Sequence, residues 1–203
     1  MTLATAISYC TRILYLLTPH SERIDVAGSI RRQKAELGDI ELVCIPKKTF
    51  NQTDLFGGGE WLISPEFESA IGIMLDHVVK GNLSGRYMQF VVKGHVKVDL
   101  FMPVPEDYYR QLAIRTGSRE YSNLVIAHAW KRLGWVGAGD HGLRRREDCQ
   151  EYMSGDKPKW KLVNADGELP PVWQSEEEFF QWLGLTWLDP RYREIKESLN
   201  KNQ

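Results

Sequence analysis

The sequence predicts an α+β fold in two parts. A mixed, largely antiparallel sheet with helices comes first, and helices with short strands follow. Three patterns carry this. Leu3, Ile7, Cys10, Leu14 and Leu17 recur at helical spacing; residues 39–45 and 86–102 alternate with the period of strands; and the chain changes character after Pro103 and Pro105. A length of 203 residues suffices for one large domain or two small ones. With 42% hydrophobic and 26% charged residues, the chain has the balance of an ordinary globular protein.

Taken in order, residues 2–17 form an amphipathic helix that Thr2 can cap. Residues 24–27 form a short strand ending at Gly28, after which Ser29 caps a short helix through Lys34. Residues 39–45 form a strand closed by Pro46. The polar tract 47–64, with three successive glycines at 57–59, reads as a flexible loop. Residues 66–79 read as a helix with Ile71, Met74, Leu75 and Val78 on one side. Residues 86–92 and 96–102 form a hairpin turned at Lys93-Gly94-His95. Beyond a boundary near 103–118, residues 107–114 and 120–133 read as helices. Residues 142–163 read as short strands and Ala165-Asp166-Gly167 as a hairpin turn. Ser175 and Glu178 make a capping box for a helix to Leu183.

A formal net charge of -1 gives no overall attraction to nucleic acid, so such a partner needs local basic patches. Three cysteines, far apart and odd in number, argue against a disulfide scaffold or a cysteine zinc site and suit reduced thiols in the cytoplasm. No signal peptide and no apolar run of spanning length is present, so neither secretion nor a membrane partner is expected.

The chemistry concentrates at Gly28-Ser29-Ile30-Arg31-Arg32 and Gly38-Asp39-Ile40-Glu41. Asp39 and Glu41, two apart on a strand, point to one face. Asp99 shares a face with Lys97 and Phe101 on another strand. If those strands are neighbours, three carboxylates converge, and such crowding is costly unless a cation neutralises it. Mg²⁺ prefers such oxygen ligands and shares them with phosphates; two ions can hold the attacking and leaving oxygens of an in-line displacement. Glycine lets the backbone approach a phosphate, a serine hydroxyl can bond it, and arginine can bind it bidentately. Of the adjacent arginines, Arg32 is assigned to phosphate and Arg31 to a structural ion pair.

Together with Val98-Asp99-Leu100, these stretches resemble the nucleotidyltransferase palm of the DNA polymerase X family, the polymerase beta type. Thr116-Gly117-Ser118 resembles the family's TGS signature, and the stretch from Trp182 to Arg191 resembles its LGL-x-Y-x-x-P-x-x-R ending. The resemblance covers nearly the whole chain and implies a palm at 1–103 and an α/β thumb at 104–203. It implies that Asp39, Glu41 and Asp99 bind two Mg²⁺ or Mn²⁺ ions, with Asp99 nearest the primer 3′-OH. It places Gly28, Ser29, Arg32 and Gly38 around the triphosphate of a dNTP. Thr116, Gly117 and Ser118 would lie along its sugar and base, and Ser122 or Asn123 would contact the base. Lys97 would touch the primer phosphate. The implied activity is template-directed DNA synthesis in short gaps, by a monomer of the minimal form found among viruses, without lyase activity.

The chain departs from the family pattern at two places. Glu41 stands where these polymerases usually carry Asp, and Ile114 and Arg115 stand where many have two aromatics that disfavour ribonucleotides. Candidate DNA contacts are Lys131-Arg132, Arg144-Arg145-Arg146 and above all the segment 157–161. In that segment Lys157, Lys159 and Lys161 interleave with Trp160, suiting phosphate contact plus stacking. Two other readings stand beside templated synthesis. One is nucleotidyl transfer to another acceptor: untemplated DNA ends, RNA, protein or a small molecule. The other is a non-catalytic DNA-end-binding module.

Overall fold

The computed structural model describes residues 1–52 and 58–195. Helix α1 (Leu3–Leu17) starts at Thr2, whose hydroxyl accepts from the Thr5 N–H at 3.3 Å, and buries Ala6, Cys10, Ile13 and Leu17. Strand β1 (Ser21–Val26) leads to the single-turn helix α2 (Gly28–Arg31). The cap position of α2 is Ala27, which has no capping side chain, rather than Ser29, and the helix stops short of Lys34. Strand β2 (Ile40–Pro46) follows.

The tract 47–64 is not simply a loop. Strands β3 (Lys48–Gln52) and β4 (Gly59–Ile63) pair as an antiparallel hairpin, with Phe50 and Trp61 opposite one another, edge to face at 5.5 Å. Aromatic cross-strand pairs of this kind stabilise a pleated ribbon even between polar neighbours. The middle of the tract, 53–57, lies outside the described residues.

Helix α3 (Pro65–Met74) has Ser64 as its cap, proline in its first turn and Glu66 and Glu68 at its positive end. It does not continue to Val79. Strand β5 (Leu75–Gly81) takes over and pairs with β6 (Tyr87–Val92), whose Val91 and Phe90 lie opposite His77 and Val78. Consecutive valines at 78 and 79 favour the strand, and a waiting partner decides it. Strand β7 (Val96–Phe101) closes the predicted hairpin, with Gly94 at φ +105° in its turn.

The five strands order as β1-β2-β7-β6-β5, antiparallel except for the central β2–β7 pair, which is parallel. One face of the sheet packs Ile40, Leu42, Cys44, Val98 and Leu100 against α1 and α3. On the other face, Val43, Ile45 and Phe101 pack against Tyr108 and Leu112 of α4 (Tyr108–Thr116).

From α4 onward a second core forms around Trp130, Trp135, Trp173, Phe179 and Phe180. Its helical part runs through α5 (Arg119–Tyr121), a π-helical stretch (Ser122–Ala127) and α6 (His128–Arg132). Strands β8 (Trp135–Gly137) and β9 (Leu143–Arg145) pair, as do β10 (Cys149–Ser154) and β11 (Lys157–Leu162). The hairpin turn falls at Gly155-Asp156, with Gly155 at φ +62°, and not at 165–167. Gly167 instead crowds Asp148, whose Oδ2 would lie 1.9 Å from an added Cβ. Helix α7 (Glu176–Trp182) is capped by Ser175, while the Glu178 carboxylate takes the Gln174 N–H rather than that of Ser175. Among the described residues no helix is long and apolar enough to cross a membrane.

Candidate active site

Parallel pairing sets Glu41 directly opposite Asp99. Asp39, just before β2, shares their face because side chains two apart on an extended chain point the same way. Asp99 is buried, and its Oδ1 accepts from the Tyr87 hydroxyl at 2.6 Å and from Gln89 Nε2 at 2.8 Å. Gln89 is the residue facing Asp99 across β6–β7. Gly28, at φ +60°, lies against the Glu41 carboxylate so closely that a Cβ there would sit 1.8 Å from Oε2. Its positive φ favours glycine at 28, and a side chain there would push the Glu41 carboxylate aside.

The acids repel one another. Burial, then Asp39 and Asp99, push the Glu41 carboxyl up to about 7 against the pull of Arg32 and Arg115. Burial and then Asp99 raise Asp39, opposed by Lys97 and Arg32. Arg115 is itself held below its ordinary range, mainly by burial, and its guanidinium lies 3.9 Å from the centre of the Phe101 ring. Among the described residues no three His, Cys, Asp and Glu side chains are grouped to hold a metal ion directly. The three carboxylates nonetheless set oxygen donors on one face under mutual repulsion, the kind of ligand a hard divalent ion takes.

The arginine pair is committed to the second core. Arg31 donates to Glu176 through both terminal nitrogens, at 2.9 and 3.0 Å, and to Thr116 Oγ1 at 2.7 Å. That is the structural ion pair expected of it. Arg32, assigned to phosphate, donates to the Thr116 carbonyl at 2.7 Å and to Glu194 at 3.2 Å. Ser29 is partly exposed beside them, and Gly38 is exposed with nothing within 4 Å of a Cβ.

The Thr116-Gly117-Ser118 turn serves the chain itself. Thr116 is fully buried between the arginines, so its side chain is not offered to a ligand. Ser118 caps α5 and donates its N–H to the Arg193 carbonyl at 3.0 Å. Ser122 donates to the Ile114 carbonyl at 2.8 Å. Gly117 packs against Ser122, and Asn123 is exposed in the π-helical stretch.

Glu176 and Arg193 are among the residues the sequence reading did not pick out. Glu176 accepts five hydrogen bonds, from Arg31, Arg193 and Trp187, with its side chain 5% exposed. Burial alone would raise its carboxyl, but the bonds from Arg193 and Arg31 pull it to about 2. Arg193 is fully buried, whereas Arg191 is exposed and pairs with Asp189. The signal lay in the pattern's own spacing: with two residues between its proline and its arginine, Pro190 assigns the arginine to Arg193 rather than Arg191.

Lys97 is exposed on the acid face. Lys157, Lys159 and Lys161 line one face of β11, while Trp160 turns to the other, where Arg146 lies 5.2 Å from its ring. Lysines and tryptophan therefore do not form one stacking surface. The aromatic sharing the lysine face is Tyr152, opposite Lys159 and half-exposed. Compared with known protein families and with curated proteins, the chain matches none.

Proposed function

We propose that the chain is a nucleotidyltransferase that adds a deoxynucleotide to the 3′-OH of a DNA primer under template direction, filling short gaps. The observation that carries this reading is the parallel β2–β7 register, which puts Glu41 opposite Asp99 with Asp39 on the same face and Gly28 tight against the site. Asp39, Glu41 and Asp99 would hold two Mg²⁺ ions, which when bound neutralise the carboxylates and stabilise charge on the attacking and leaving oxygens. The 3′-oxygen forms a bond to the α-phosphorus as the bond to the bridging oxygen breaks, and pyrophosphate leaves. Tyr87 and Gln89 both bond Oδ1 of Asp99, which leaves Oδ2 as the oxygen that would face a metal ion and the 3′-OH. Most of the rate in such transfers comes from positioning and electrostatics.

A second reading, transfer to another acceptor, draws support from Ile114 and Arg115. Ile114 packs into the second core, and Arg115 folds onto Phe101 toward the acids, so neither offers a ring to a sugar.

A labelled primer tests both, annealed opposite a one-nucleotide gap or alone, with single dNTPs and Mg²⁺ or Mn²⁺. Extension by only the complementary nucleotide, abolished in Asp99→Ala, is the expected result. Extension of the lone primer transfers the reading to an untemplated acceptor. Full activity in Asp99→Ala removes the metal-site assignment.

A further inference from the structure

The basic turn after Gly28 is filled by a carboxylate of the chain itself. Glu194 accepts from Arg32 Nε at 3.2 Å through Oε1 and from Lys34 Nζ at 2.5 Å through Oε2. Its two oxygens thus bridge two cations, as two oxygens of one phosphate group would. Glu194 differs from Glu176 in every respect that governs exchange. It lies on irregular chain, its side chain is 29% exposed, and its two ion-pair partners both come from the turn beyond Gly28. Arg32 is also tied to the Thr116 carbonyl, so its guanidinium stays in place when Glu194 leaves. Lys34 is 45% exposed and can follow a new partner.

We propose that Arg32 and Lys34 form a two-cation site for the terminal phosphate of a polyphosphate, and that Glu194 is its internal occupant, displaced on binding. This rests on the nucleotide reading above and extends it to Lys34 and Glu194, neither of which belongs to the carboxylate set. Charge matching supports the exchange. Two cations facing one carboxylate keep one positive charge unmatched, whereas a terminal phosphate carries close to two negative charges. A polyphosphate arriving with Glu194 still seated would meet a like charge at contact distance. The Lys34–Glu194 pair is partly exposed, and such pairs are weak enough to be given up for a charge-assisted phosphate contact.

The test is calorimetric titration of the full chain with inorganic tripolyphosphate in metal-free buffer, and separately with dATP and Mg²⁺. Glu194→Gln should tighten both by roughly three- to tenfold, the range that giving up two weak ion pairs implies. Lys34→Gln should weaken both by a similar factor. Glu194→Asp, which keeps the charge, should stay near the parent and guards against a variant that merely folds poorly. Unchanged or weaker tripolyphosphate binding in Glu194→Gln overturns the site, and the nucleotide reading survives if dATP still binds in an Asp99-dependent way. Absence of tripolyphosphate binding in parent and Glu194→Gln alike also overturns it. If dATP with Mg²⁺ is then not bound either, the nucleotide reading falls with it.

Discussion

Glu41 and Glu176 are both largely buried glutamates, and the chain treats them in opposite ways. Glu176 accepts five hydrogen bonds from two arginines and a tryptophan and is pulled to about 2. Glu41 faces two other acids, with arginines acting only through charge, and is pushed to about 7. A buried charge with a full set of donors holds a fold together. A buried carboxylate left under repulsion holds its proton to near neutral pH instead, and groups perturbed in this way concentrate at functional sites.

The largest effect expected from this contrast is on the satisfied side. Glu176→Ala strands Arg31 and Arg193 in a buried environment and should cost about 3–5 kcal/mol in urea unfolding. A loss under 1 kcal/mol would mean that the clamp adds little cohesion. The same group predicts acid sensitivity. Its folded value, about 2, lies below the ordinary 4.5, so the unfolded chain binds the proton more readily. Its stabilisation is complete above pH 5, about 3 kcal/mol, and disappears as pH falls toward 2. Denaturant titrations at several pH values should show that decline in the parent and not in Glu176→Ala.

On the repelled side the sign reverses. Glu41→Gln should raise stability at pH 8 by about 1–2 kcal/mol while removing activity, because desolvation and repulsion disappear with the charge. A destabilised Glu41→Gln would show that the carboxylate is satisfied after all. Smaller again, Tyr87→Phe removes one of the two bonds to Asp99 Oδ1 and should slow turnover by roughly two- to tenfold and lower stability by about 1 kcal/mol. The smallest effect concerns DNA. Lys159→Gln should flatten the slope of log affinity against log salt by about 0.9 on duplex, whereas Trp160→Ala, on the opposite face, should leave that slope unchanged.

The acid face could be read directly from the chain because alternation in 39–45 and 96–101 gives each side chain its face locally. Only the adjacency of the two strands needed tertiary structure. The exchange of helix for strand at 75–81 shows the opposite case. Leu75 and Val78 fit a helical stripe extending from Ile71 and Met74, and only the pairing with β6 reveals otherwise. Glu176 was hidden for a similar reason. In sequence it is one of three acids at a helix start, where a favourable end charge explains it fully. The arginine that gives it a different role is 145 positions earlier. Thr116 and Ser118 were recognised as a motif, but nothing local shows that their polar groups turn inward to Arg31, Arg32 and Arg193.

That separation of 145 positions between Arg31 and Glu176 also gives the molecule a schedule. At 5–20 residues per second, synthesis of the intervening chain takes on the order of ten seconds. The residues of the five-stranded sheet end at Phe101 and are made well before Glu176, Arg193 and Glu194. During that interval Arg31, Arg32 and Lys34 are a bare cationic patch beside unneutralised acids. The later segment that carries Glu176 and Glu194 covers them, and until it is made the nascent chain presents this patch to the anions around the ribosome.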